Sequence, residues 1–177
     1  MISGASGVGK STVLKQVMEN RKDLTFSVSA TTRDPRPGEA EGVSYYFVTK
    51  EKFKAMIAAD EFLEYDAHMD NYYGTPKAQL EEKLAKGHVL LDIEPNGAFH
   101  VQNARPDATL IFIAPPSLEE LEKRLRNRGD TSEEQIIKRL GRSAWELEQG
   151  KKYDYYVVND QVETCAEEIL NIIANAK

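Results

Sequence analysis

Gly4-Ala5-Ser6-Gly7-Val8-Gly9-Lys10-Ser11 decides the fold. The octet fits G-x-x-x-x-G-K-[ST], the pattern of a loop whose backbone N–H groups wrap phosphate oxygens. Its glycines permit the curl, and the helix that follows presents an electropositive N-terminus. Lys10 can then reach β- and γ-phosphates, and Ser11 can ligate Mg²⁺. Such a loop needs a strand before it and a helix after it. Met1–Ser3 supplies a stub strand, expected to be short because only three residues precede Gly4. Residues 10–20 carry Val13, Leu14, Val17 and Met18 on one helical face.

Outward from the loop, strand and helix alternate. Leu24–Ser29 reads as a short strand. His88–Ile93 contains the apolar run Val89-Leu90-Leu91 ending on Asp92, and Thr109–Ala114 and Tyr155–Val158 are similar runs of a buried parallel sheet. Helices are expected at about 96–104, 117–127 and 161–175, the last with Asp160 and Glu163 placed as a capping pair. This is an α/β pattern: a parallel-sheet core with helices on both faces. Residues 30–86 break the rhythm and read as an insertion. It has a Pro/Gly-rich loop over 30–42, strands at Gly42–Thr49 and Glu61–His68 around a helix at Lys50–Ala59, and a helix at Lys77–Lys86. One domain is expected, its core 1–29, 87–122 and 143–177, with a helical lid at 123–142.

Composition narrows the function. With 177 residues, 41% hydrophobic and 29% charged, the chain has the make-up of one soluble globular domain. A net charge of −6 argues against nucleic-acid binding, and the apolar runs are too short for a membrane span. The single cysteine, Cys165, and the absence of a signal-peptide pattern point to a reducing, cytoplasmic setting. A homo-oligomer is left open. His68, His88 and His100 match no metal-ligand spacing.

The candidate chemistry lies in five places. Asp92 ends its strand where a metal-linked carboxylate sits in phosphate-loop enzymes, although such an acid can also cap a helix. Residues 123–142 hold seven basic side chains against three acidic ones. They fit either two solvated helix faces or a lid whose planar guanidinium groups clamp phosphoryl oxygens. Ser29-Ala30-Thr31-Thr32-Arg33-Asp34-Pro35-Arg36 sets two arginines among hydroxyls and could grip a second phosphate. Asn71-Tyr72-Tyr73-Gly74-Thr75 offers phenols and a hydroxyl, or simply a turn packed on the core. Leu91-Asp92-Ile93-Glu94 adds a second carboxylate.

Taken in this order, these segments resemble the guanylate kinase family, P-loop enzymes that transfer the γ-phosphoryl of ATP to GMP, and the resemblance spans the whole chain. It implies that Gly4, Ala5, Ser6, Gly7, Val8, Gly9, Lys10, Ser11 and Thr12 bind ATP, and that Ser11 and Asp92 hold Mg²⁺. Ser29, Arg33, Arg36, Tyr45 and Tyr73 would bind the phosphate of GMP or dGMP, and Glu64, Thr75 and Glu94 would read guanine. Lys10, Arg124, Arg128 and Arg139 would stabilise the transferring phosphoryl. Guanine offers N1–H and N2–H donors to carboxylates and its O6 acceptor to a hydroxyl, a pattern adenine cannot match. The chain departs from the family pattern at Pro95-Asn96-Gly97, where an apolar residue and Gln usually precede the glycine, and in its acidic stretch 66–70. Pro95 is expected to open a helix at its first position. Two alternatives remain: a P-loop kinase of a phosphorylated sugar, against which the base-reading trio argues, and a non-catalytic binding domain, against which Gly9-Lys10-Ser11 and the arginine-rich lid argue.

Overall fold

In a computed structural model, which describes residues 1–68, 70–127 and 132–176, the elements alternate as the phosphate loop requires. They are β1 (Ile2–Gly4), α1 (Lys10–Asn20), β2 (Leu24–Phe26), β3 (Ala30–Thr31), β4 (Tyr46–Phe47), α2 (Lys50–Ala58), β5 (Phe62–His68) and β6 (Asn71–Pro76), then α3 (Lys77–Leu84), β7 (His88–Leu90), α4 (Pro95–Ala104), β8 (Ile111–Ala114), α5 (Leu118–Asn127), α6 (Glu133–Gly150), β9 (Tyr155–Val158) and α7 (Val162–Asn175).

β1 pairs in parallel with β8, β8 with β9, and β2 with β7. Ile2 joins the two sets: its N–H donates to Leu91 O (2.8 Å), and its carbonyl accepts from Ile93 N–H (3.3 Å). The order across the core is therefore β2-β7-β1-β8-β9, all parallel, and every residue of β8 is buried. Val13 and Val17 of α1, Leu121 and Leu125 of α5 and Cys165 and Ile169 of α7 pack on one face. Ala98 and Val101 of α4 and Leu80 of α3 cover the other with Phe112 and Tyr153. Both faces are covered, as an all-parallel sheet demands.

Between β2 and β7 the chain builds a second sheet, β4-β3-β6-β5, in which β3–β6 and β6–β5 are antiparallel. Its small core is aromatic: Phe53 stacks on Phe62 at 4.3 Å and on Tyr72 at 5.4 Å between centroids. Here the structure departs from local expectation. Only Tyr46–Phe47 of 42–49 is a strand, and Asn71–Pro76 is a strand rather than a turn. β6 lies between β3 and β5, so its pairing is supplied by distant residues that its own Gly- and Pro-containing sequence does not announce. At α7, Gln161 takes the N-cap position with no side-chain bond, so the Asp160–Glu163 capping pair does not form. Pro95 does open α4. Among the described residues no helix is long and apolar enough to cross a membrane.

Candidate active site

The loop from β1 to α1 follows from its glycines. Gly7 and Gly9 adopt φ of 90° and 91°, a region that a Cβ disfavours, and Gly9 forms the N-cap of α1. A Cβ at Gly9 would also lie 3.0 Å from Nδ2 of the buried Asn159, which donates to Val8 O at 2.8 Å. The loop lines a cleft of about 190 Å³ together with Glu94, Arg142 and Glu146.

Inside the cleft Lys10 pairs with Asp92, which follows β7. Burial disfavours the ammonium, but the carboxylates of Asp92 and Glu94 outweigh it and hold its pKa above the usual lysine range. Arg139 donates from Nε to Ser6 Oγ (3.1 Å). Arg124 donates to Asn159 O (3.0 Å) and Val8 O (3.4 Å), tying α5 to the loop and to the turn after β9. Arg128 lies outside the described residues.

The second sheet supplies the other half. The Thr75 hydroxyl donates to Glu64 Oε1 at 2.6 Å, and both residues are buried. Burial pushes the Glu64 carboxyl up to about 6; the Thr75 bond opposes the rise and the charges of Asp66 and Glu94 add to it. Glu64 approaches α4 so closely that a Cβ on Gly97 would overlap its carboxylate, 3.0 Å from Cδ. Asn96 reaches Asp66 at 3.5 Å, so this departure from the family pattern touches the acidic stretch.

Arg33 forms a two-pronged pair with Glu39 at 2.8 and 2.9 Å and lies 5.4 Å from the Tyr45 ring centroid. The Glu39 hydrogen bond outweighs the cost of burial and, with a smaller part from Tyr73, raises the Arg33 pKa above its usual value. Tyr45 packs edge-on to Tyr73 at 6.1 Å. Burial raises the Tyr45 phenol pKa, with the charge of Asp92 adding to the rise and that of Lys10 opposing it. Ser29 accepts Tyr46 N–H through its carbonyl (2.9 Å), and Arg36 is exposed, its backbone N–H donating to Glu39.

Among the described residues the predicted ones fall into two adjoining groups, one on or tied to the phosphate loop and one on or beside the second sheet, with Glu94 between them. Two participants are not singled out from the sequence, Glu146 on α6 and Asn159 after β9, and Arg142 is read there only as one of the basic side chains of 123–142. The i, i+4 spacing of Arg142 and Glu146 was a signal, but it could not reveal that the Glu146 side chain is 2% exposed.

A phosphate-wrapping loop at the end of a parallel sheet, facing a buried carboxylate and hydroxyl on an inserted sheet, defines a P-loop nucleotide kinase. A family model described as guanylate kinase matches residues 1–176. The guanylate kinase of Clostridioides difficile is 47% identical over 178 residues, covering all of this chain and 87% of its own. That of Thermus thermophilus is 49% identical over 174 residues, covering 98% and 79%. A crystal structure of guanylate kinase from Anaplasma phagocytophilum superposes with a TM-score of 0.80 at 35% identity, covering 98% of this chain and 84% of that one. The chain belongs to the guanylate kinase family, and it is an enzyme of that activity; nothing favours the sugar-phosphate or non-catalytic readings.

Proposed function

We propose that the loop Gly4–Thr12 holds the phosphates of ATP while the inserted sheet presents GMP to it, with the reaction proceeding by positioning and charge neutralisation. The acceptor is already a phosphate oxygen, so no protein nucleophile or buried base is required. Lys10, Arg124 and Arg139, with Arg128 of the sequence between α5 and α6, stabilise charge on the transferring group. Ser29, Arg33, Arg36, Tyr45 and Tyr73 hold the GMP phosphate; Glu39 keeps the Arg33 fork extended until a phosphate shares or replaces it.

The observation that carries the reading is the buried Glu64–Thr75 pair within charge range of Glu94. The Thr75 hydroxyl donates to Glu64 here. Turning it toward guanine O6 supplies a donor and frees Glu64 to accept, while Glu94 offers a second acceptor. Adenine, with an acceptor at N1 and a donor at position 6, would leave these groups mismatched.

The donors also fit Mg²⁺. Ser11 and Asp92 offer hard oxygens, Asp92 is 27% exposed, and Mg²⁺ takes one or two carboxylates together with substrate phosphates. Bound there, the ion neutralises phosphate charge. The second sheet standing between β2 and β7 supports the GMP-binding insertion 30–86; the core and the lid 123–142 complete the proposed division. A coupled assay with ATP and Mg²⁺ against GMP, dGMP, AMP and ribose phosphates tests the reading. GMP should be the best acceptor, dGMP poorer and AMP far worse; turnover of a ribose phosphate at the GMP rate would overturn it.

A further inference from the structure

Glu94 sits at the N-cap of α4, yet its side chain makes no capping bond to its own helix. Its side chain is 41% exposed, so local structure leaves its direction open. What holds it is Arg142 of α6, whose Nη2 donates to Glu94 Oε2 at 3.2 Å. Arg142 is held in turn: its Nε donates to Glu146 Oε1 at 2.9 Å. Glu146 spends its other oxygen on the backbone N–H of Ser6 in the phosphate loop, at 3.0 Å.

An i, i+4 pair on a helix surface contributes little, because water screens it. This pair differs in that the Glu146 side chain is 2% exposed. A buried carboxylate requires both a counter-charge and hydrogen bonds on its oxygens, and here Arg142 and Ser6 supply them. The guanidinium is suited to the task because its planar fork can serve two carboxylates at once, which a point-charge ammonium cannot do with the same geometry.

We propose that Arg142 is a positioning residue for base recognition: it holds the Glu94 carboxylate against the buried anchor Glu146 and so links the guanine-reading group to the phosphate loop. This rests on the reading of Glu94 as a guanine acceptor. Arg142 leaves the second oxygen of Glu94 for the base and limits the orientations that carboxylate can adopt before GMP arrives. GMP then loses less freedom in its partner on binding.

The test is steady-state kinetics on Arg142→Met and Arg142→Lys, with Glu64→Gln measured alongside and thermal melts on all three. Arg142→Met should raise the KM for GMP by roughly tenfold, the scale of a lost charge-assisted hydrogen bond, with the KM for ATP changed less than about twofold. Arg142→Lys should recover part of that loss, and it carries the test if the methionine variant melts below the assay temperature. An unchanged KM for GMP, with the loss confined to kcat or to the KM for ATP, would overturn the proposal and make Arg142 a phosphate ligand. If Glu64→Gln also leaves the choice of GMP over AMP intact, guanine reading itself fails and the proposal falls with it.

Discussion

Lys10 is the residue on which the proposed phosphate binding rests. Its charge is secured by Asp92 and Glu94, and no other side chain of the loop Gly4–Thr12 is cationic. Lys10→Ala is therefore expected to lower kcat by about 10³-fold or more, the scale at which phosphate-clamping cations act, with a melting temperature close to that of the parent. Glu64 makes a different prediction. Its carboxyl is raised from 4.5 to about 6, so the folded protein holds that proton more tightly than the unfolded chain. The resulting stability is fully present below about 4.5 and is lost as pH rises through about 6, a contribution on the order of 2 kcal/mol. Guanine binding as proposed uses the opposite, ionised form, so the KM for GMP should fall as pH rises through about 6. Phosphate groups titrate near pH 6 as well, and Glu64→Gln separates the two effects: it keeps the phosphate titration and loses the carboxyl's. Coincident KM–pH profiles for the two proteins would contradict the role of Glu64.

α4 shows how an element sets the site. Pro95 fixes its first turn, and Gly97, within that turn, lets Glu64 come against the helix. Gly97→Ala improves helix propensity by up to about 1 kcal/mol but puts a methyl where the Glu64 carboxylate lies. The expected result is a raised KM for GMP with the KM for ATP and the melting temperature little changed; a parental KM for GMP would mean that Glu64 has room to move. The same scale explains what the sequence could reveal. The phosphate loop, the apolar runs of β7 and β8 and the spacing of α7 are local patterns, and their elements form close to where the residues indicate. β6 depends on pairing with β3, about 40 residues away, and could be read from function but not from local propensity. Glu146 was invisible because its burial is created by the loop above it, with Ser6 approaching from 140 positions away in the chain.

At the scale of the molecule, several cations of the inserted sheet and of α5 and α6 are already paired within the protein: Arg33 with Glu39, Arg142 with Glu94 and Glu146, Arg126 with Glu122 and Glu133. Mutual repulsion is thus a weak reason for an open form. On the proposed function, closure would come from two nucleotides bridging the inserted sheet and the helices α5 and α6, which would also exclude water from the transferring group. ATP and GMP together are expected to reduce the radius of gyration more than either alone, as read by small-angle scattering. An unchanged radius in all states would mean a rigid, preformed site.

On the proposed reading, a buried carboxylate–hydroxyl pair selects guanine for phosphorylation at the loop. The most direct measurement is the ratio of kcat/KM for GMP to that for AMP, taken for the parent and for Glu64→Gln under the same ATP and Mg²⁺ concentrations. The ratio should reach about 10⁴ in the parent, the range available to a site whose polar groups must be matched, and should drop steeply in the variant through loss on the GMP side. Comparable turnover of AMP and GMP by the parent, or a ratio that Glu64→Gln leaves unchanged, would contradict it.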